Sequence, residues 1–432
     1  MRLFRTHVTS AAFLLAALAA PLRVASPQGA QRADTGNALP ITPVRTLTFT
    51  TDEGTWMSLD VSPDGKTIVF DLLGDLYTIP IGGGDATRLT SGMGWDYMPR
   101  WSPDGSTIAF ASDRGGNEDI WLMDRSGGHV RRLTHEVDAR LSSPTWTRDG
   151  QYIVARRTEP YPGPNDYGRQ HPLWMYALAG GTGVQIVPAT LDAPKTSNSG
   201  PAFSPDDSTM YFSSHAGGSF TAEGKIGLFQ IVSLDRRTGR QRTLTSEPGG
   251  GLRPAVSPDG HWLVYATRFE TTTGFRIRDL HTGAERWLVE RTQRDDQEGD
   301  VMLDALPNYS FTPDSKSVVY TEGGKIRRVD IATRVVTTIP FAAHVELGIG
   351  KRLAAPQRIE DGPMRVRQRS ASRGHDDGRG LDRVGSRPGV DRAGQACRHC
   401  GARCESAGRH QEHCENALHR EERCRLRRRD AR

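Results

Sequence analysis

Trp101-Ser102-Pro103-Asp104-Gly105-Ser106-Thr107-Ile108-Ala109-Phe110 joins an apolar residue, a four-residue turn and a run of alternating strand-formers. Proline at the second turn position presets φ, aspartate hydrogen-bonds to nearby backbone, and glycine takes the left-handed conformation that closes a hairpin. The unit returns at Val61-Ser62-Pro63-Asp64-Gly65 and at Ser257-Pro258-Asp259-Gly260. Weaker copies begin at Thr147 (TRDGQYIVA), Ser204 (SPDDSTMYF) and Thr312 (TPDSKSVVY). A hairpin that recurs six times points to a repeat architecture.

Between turns the chain keeps a second landmark, a basic or polar residue followed by Leu-Thr, at Arg88-Leu89-Thr90, Arg132-Leu133-Thr134 and Thr243-Leu244-Thr245. Each repeat divides into four short strands, in the second repeat Met98–Ser102, Thr107–Ser112, Asp119–Asp124 and Val130–Thr134. Glycine turns such as Gly82-Gly83-Gly84 and Ser126-Gly127-Gly128 join the third strand to the fourth. Four antiparallel strands per repeat of forty-odd residues are the pattern of a β-propeller blade. Period-2 alternation leaves no stretch for a helical solenoid.

With these residues in view, the run PRWSPDGSTIAFASDRGGNEDIWLMDRSGGHVRRLT resembles the blade repeat of TolB and tricorn-protease propellers (PD40, WD40-like repeats). The resemblance covers roughly Arg45 to Phe341. The fold it implies is all-β: a propeller of four-stranded blades, six recognisable and a seventh missing or garbled. Arg45–Thr50 reads as a fourth strand with no blade in front of it, which asks for a seventh blade after Phe341. The later blades, including RDDQEGDVMLDALPNYSFTPDSKSVVYTEGGKIRRVDIAT, are similar to the N-terminal propeller of exported bacterial amidohydrolase-type proteins, in which a metal-dependent hydrolase domain follows. A TolB-like partner of a peptidoglycan-associated lipoprotein is a third possibility that the resemblance leaves open.

The ends differ in composition. Met1 to about Ala25 reads as a signal peptide, with Arg2 and Arg5, an apolar run Ala11–Ala20, and Ala17-Leu18-Ala19 as cleavage pattern; an uncleaved anchor is the alternative. A periplasmic or secreted location follows, with no membrane span after signal removal. The expected organisation is signal 1–25, linker 26–44, propeller 45–341, propeller remnant or linker 342–364, and an Arg/Cys-rich tail 365–432. Residues 351–432 hold 21 Lys+Arg against 12 Asp+Glu, a net of +9, so of the chain's +5 the rest carries −4 and the basic character belongs to the tail. No specific nucleic-acid partner is therefore assigned to the folded part. All five cysteines (Cys397, Cys400, Cys404, Cys414, Cys424) lie in the tail, where 18 of 68 residues from Arg365 are arginine and none is aromatic. Such a stretch supplies no strands or core and reads as disordered. Its composition favours out-of-frame translation over a natural basic tail or a Cys/His metal site.

Catalytic motifs are sought without success: no Gly-x-Ser-x-Gly, His-Glu-x-x-His, His-x-His or Walker loop occurs, and His410-Gln-Glu-His413 sits in the tail. No catalytic residue, cofactor or metal ligand is assigned. Asp113, Asn117, Glu118 and Asp119 lack EF-hand spacing and read as a solvated hairpin. Asp64, Asp104 and Asp259 read as turn residues on the short-hairpin face, away from the channel mouth. Four insertions, Arg156–Pro172, Pro188–Gly200, Ser213–Gly227 and Arg291–Asn308, leave from the opposite face by this strand assignment. Insertions collected on one face suggest a surface for a protein or peptide, although loops also lengthen wherever packing tolerates it. On that face Trp56, Trp95, Asp96, Tyr97, Asp138 and Arg140 are expected to ring the channel entrance. Tyr161, Tyr167, Arg169 and His171 lie in one insertion and Asp295 and Asp296 in another. Aromatic and arginine side chains on loops suit binding, while blade-to-blade packing is the competing reading, above all for Trp56 and Trp95.

Overall fold

The computed structural model describes residues 42–159, 171–188, 196–216, 229–246, 248–294 and 306–351, and contains no helix among them. The strands form six four-stranded antiparallel blades, one of them extended to six strands. Blade 2 runs Asp96–Trp101, Thr107–Ser112, Asp119–Asp124 and Arg131–Arg132 from the inside outward, within two residues of the boundaries expected from the turns.

The six tight turns share one local chemistry. In blade 1 the Ser62 hydroxyl donates to Asp64 Oδ1 (2.5 Å), which also accepts the Lys66 amide (3.0 Å), while the Thr67 amide returns to Ser62 Oγ (3.0 Å). The same clasp forms at Ser102–Asp104, Thr147–Asp149, Ser204–Asp206, Ser257–Asp259 and Thr312–Asp314. Gly65, Gly105, Gly150 and Gly260 take φ of 69°, 70°, 69° and 73°; where glycine is absent, Asp207 (59°) and Ser315 (58°) hold the same left-handed position. Those two substituents are used: Asp207 Oδ2 accepts the Asp149 amide and Ser315 Oγ the Asp259 amide, each tying one turn to the next blade's.

The Leu-Thr landmark extends the outer edge of the blade. The Thr90, Thr134 and Thr245 hydroxyls accept the amides of Leu76, Ile120 and Ile231 at 2.9–3.0 Å, continuing the ladder between the third and fourth strands. The preceding arginine is bound by the residue that opens the third strand: Arg88 pairs with Asp75 at 2.7 Å, and Arg132 pairs with buried Asp119. Sequence positions more than ten residues apart are thus one cluster in blades 1 and 2.

Ring closure departs from expectation. Blade 6 packs directly on blade 1, with Val319, Ile326 and Ile339 in one core with Met57, Leu59 and Phe70. The Leu59 amide donates to Asn308 O (3.2 Å) and the Thr321 hydroxyl to Met57 O (2.9 Å). Six blades therefore close the ring, and the N-terminal strand needs no seventh. Arg45–Thr51 pairs antiparallel with Phe341–Ile349, which itself adds parallel to the outer strand Gly84–Arg88 of blade 1. The chain past Phe341 can do this because Phe341, Ala343 and Val345 alternate with polar positions and are buried. The propeller boundary extends to Ile349 rather than Phe341. The signal region, most of the linker, and the tail lie outside the described residues.

Thr134→Val removes an acceptor from the Ile120 amide and a donor from Asp119, whose Oδ1 the hydroxyl meets at 2.6 Å. The expected loss is about 1–3 kcal/mol of unfolding free energy, measured by urea denaturation.

Candidate functional site

Antiparallel order puts the second-to-third and blade-to-blade connections at one end of the ring and the tight turns at the other. The strands flanking the four insertions place all four exits at the first end. There, a cavity of about 780 Å³ is formed where the chain enters blade 1 beside blades 5 and 6. Its apolar wall comes from Phe49, Trp56 and Leu73, and its charged groups are Glu53, Arg291 and Glu322. The entry loop is fastened on one side, the Gly54 amide donating to Gly324 O (3.0 Å) and Lys325 pairing with Asp52 (3.0 Å) and Glu53 (3.5 Å). Trp56 sits in this loop with φ of 58° and its indole N–H has no hydrogen-bond partner among the described residues. Arg291 is held by Glu270 at 2.7 Å over the Phe269 ring. Burial raises the pKa of Glu322, against the pull of nearby Arg327.

The expected ring separates into two groups. Trp56 and Trp95 reach solvent in part, Trp95 being 47 % exposed with its ring against Gly74. Asp138 is exposed, and Arg140 is half-buried 3.4 Å from Glu118. Asp96, Tyr97 and His171, by contrast, are buried. Asp96 is paired with Arg114 and accepts the Ser112 hydroxyl (2.6 Å); burial raises its pKa even so. Tyr97 belongs to the blade 2–blade 3 core with Leu141 and Trp146. His171 Nδ1 lies 2.6 Å from Ser197 Oγ, bridging blade 3 to blade 4. These three hold the fold, because each stands beside an inner strand that a neighbouring blade covers. Tyr161, Tyr167, Arg169, Asp295 and Asp296 lie outside the described residues. The Asp113–Asp119 hairpin is occupied by its own contacts: Asp113 accepts the Trp95 amide and Asn117 donates to the carbonyls of Glu136 and Ala139. Phe49, Leu73, Arg291 and Glu322 were not foreseen, since nothing in their local sequence indicates that four separate segments meet.

Four inner strands carry the same bulge. Met98, Ser143, Gly200 and Arg253 adopt φ of 46–56°, each precedes a proline, and the pairing register shifts at each. The bulges leave amides facing inward. Asp71 Oδ2 accepts that of Met98 (2.8 Å) while its Oδ1 accepts the Ser58 amide (3.0 Å), and Ser213 Oγ accepts that of Arg253 (2.7 Å). The Arg253 guanidinium meets Asn308 of the blade 6 entry and, at 3.4 Å, Ser143 Oγ of blade 3. Blades 3 and 5 are not neighbours, so this side chain crosses the channel.

Beyond it, at the tight-turn end, lies a second cavity of about 280 Å³ whose wall includes Pro63, Pro103, Pro258 and Pro313. The turns stand at the end of the channel opposite the long connections. They surround its other mouth.

The geometry defines a six-bladed β-propeller built on four-stranded blades. Residues 57–186 match the family described as the tricorn protease N-terminal beta propeller domain. A Bacillus subtilis (strain 168) protein named as an uncharacterized peptidase, YuxL, is 30 % identical over 189 residues, 42 % of this chain and 23 % of that protein. Tricorn protease homolog 1 of Streptomyces coelicolor is 33 % identical over 92 residues, 21 % of this chain and 9 % of that protein. The matches thus span a quarter or less of these two relatives. Among solved structures, TolB from Acinetobacter baumannii aligns with a TM-score of 0.47 and 19 % identity, covering 67 % of this chain and 65 % of that one. The tricorn protease aligns at 0.46 and 16 %, covering 71 % and 27 %.

Asp71 is buried with no cation beside it among the described residues, and burial pushes its pKa up to about 7, against the two amides that favour its charge. Its contribution to stability is complete below the unfolded value near 3.8 and falls as pH rises to about 7. Asp71→Asn should therefore flatten the stability profile between about pH 4 and 7, by up to about 4 kcal/mol, while costing about 1–3 kcal/mol at the amide it no longer accepts. Denaturant unfolding of both proteins across that pH range measures the difference.

Proposed function

We propose that the propeller is a non-catalytic module of an exported protein that binds a protein or peptide at the end where the long connections leave. The observation that carries this reading is the 780 Å³ cavity at that end, with Trp56, Arg291 and Glu322 among its lining residues. Cavities of this size with an apolar wall and a few polar groups are the usual form of a recognition site. The partly exposed Trp95 and exposed Asp138 extend the same surface. Tyr161, Tyr167, Arg169, Asp295 and Asp296 belong to segments that leave from this end and join the proposal by sequence position.

A second reading is favoured by the shares of the relatives that are covered. A protein named as a peptidase matches over only 23 % of its own length, so the propeller would be the substrate-admitting part of a hydrolase. The amidohydrolase-type resemblance of the later blades is one form of that reading. Partnership with a peptidoglycan-associated lipoprotein is another use of the same surface.

Peptides selected from a displayed random library on the purified protein test the binding reading. Trp56→Ala should weaken them about tenfold or more, the usual effect of removing an aromatic anchor. Lys66→Ala, exposed at the opposite end, should leave them unchanged. Selected peptides indifferent to Trp56→Ala and to Arg291→Ala would remove this surface from consideration.

A further inference from the structure

At the inner-strand position two residues before each turn's Ser or Thr, the six blades line the 280 Å³ cavity at the tight-turn end with Asp60, Arg100, Thr145, Ala202, Ala255 and Ser310. Four of the six are small or hydroxylic, so charge is confined to the sector made by blades 1 and 2. The carboxylate there is largely committed. Asp60 Oδ2 accepts the Trp101 amide (2.9 Å), and Oδ1 accepts the Val61 amide (3.1 Å) and lies 3.5 Å from Arg100 Nη1. Arg100 Nε is buried and has no hydrogen-bond partner among the described residues.

A second guanidinium enters because one turn departs from the repeat. Five turns carry proline at their second position (Pro63, Pro103, Pro205, Pro258, Pro313), and blade 3 carries Arg148. Its side chain lines the cavity, reaches solvent there, and donates to Phe203 O at 3.2 Å. The other carboxylate near it, Asp207, is taken up by Arg236 (3.7 Å) and the Asp149 amide (3.2 Å). The cavity wall thus holds two guanidinium groups against one carboxylate, with Trp101, Trp146, Phe203 and Tyr309 as apolar surface.

We propose that the tight-turn end of the channel binds a carboxylate, free or at the C-terminus of a peptide, with Arg148 and Arg100 as its cationic donors. The excess of one positive charge matches a monoanion, and the planar guanidinium fork matches a carboxylate in particular. The aromatic and proline walls suit an organic body behind the charged group, and the volume, at the lower end of ligand sites, limits that body to roughly one residue. This site lies at the opposite end of the ring from the surface assigned above, so either can fail without the other.

Calorimetric titration of the full chain with benzoate, with N-acetyl-Ala-Pro-Phe as the free acid, and with the same peptide as its C-terminal amide tests the proposal. At least one acid should bind, with the amide weaker than the acid peptide by about tenfold or more, the worth of a charge-assisted hydrogen bond. Arg148→Pro installs the residue of the five other turns, and among the described residues the Arg148 amide makes no turn bond that proline would remove. Thermal unfolding should show this variant folded, and its acid binding should fall about tenfold, as should that of Arg100→Gln. Benzoate bound as tightly as the acid peptide identifies a free small carboxylate, and a tighter peptide identifies a chain end. Equal binding of amide and acid, unchanged binding by Arg148→Pro, or no binding of either acid at millimolar concentration overturns the proposal.

Discussion

The structure depends on the clasp between a Ser or Thr hydroxyl and an Asp carboxylate two residues on, made six times. By accepting the backbone amide of the residue after the turn glycine or its substitute, the carboxylate fixes the direction in which the second strand leaves. Its charge is favoured by those donors: the hydroxyl of Ser102 first, then the Ser106 amide, hold Asp104 below the ordinary carboxylate range. The turns also touch one another, Gly65 lying against Pro313 and Gly105 against Pro63. A local device for closing a hairpin is thereby the material of the channel's narrow mouth.

Polar groups in the blades follow the same economy of short bonds. The hydroxyls of Thr90, Thr134 and Thr245 replace a missing strand partner, and Asp75 and Asp119 anchor the arginine two residues before the threonine. On the inside, four strands carry bulges, and at two of them the freed amide, of Met98 and of Arg253, is accepted by Asp71 and Ser213. A buried backbone donor must find an acceptor, and here it is supplied by the preceding blade. Neighbouring blades are joined by these bonds as well as by apolar packing, and Arg253 joins two that are not neighbours.

Both ends of the channel offer a recess, and they differ in kind. The wider one is assembled from five separate segments and has an apolar wall with charges of both signs. The narrower one is nearly six-fold in its backbone and asymmetric in its charge, because one turn position carries arginine where the other five carry proline.

The sequence alone determined the all-β class, the six blade repeats, and the strand limits of blade 2 to within two residues. Turn chemistry is local, so Ser-Pro-Asp-Gly and Leu-Thr can be read without knowing what surrounds them. It also determined that Asp64, Asp104 and Asp259 are turn residues. Only the tertiary structure decided how the ring closes: Phe341–Ile349 carries no turn unit, and its partners Arg45–Thr51 and Gly84–Arg88 are remote in sequence. It likewise decided that Asp96, Tyr97 and His171 are covered while Trp95 and Asp138 are not, since burial depends on the adjoining blade. Arg148 lies between the two cases. Its departure from the repeat was legible as Thr-Arg-Asp-Gly, but only the packing of six turns around one axis shows that it points a charge into the channel.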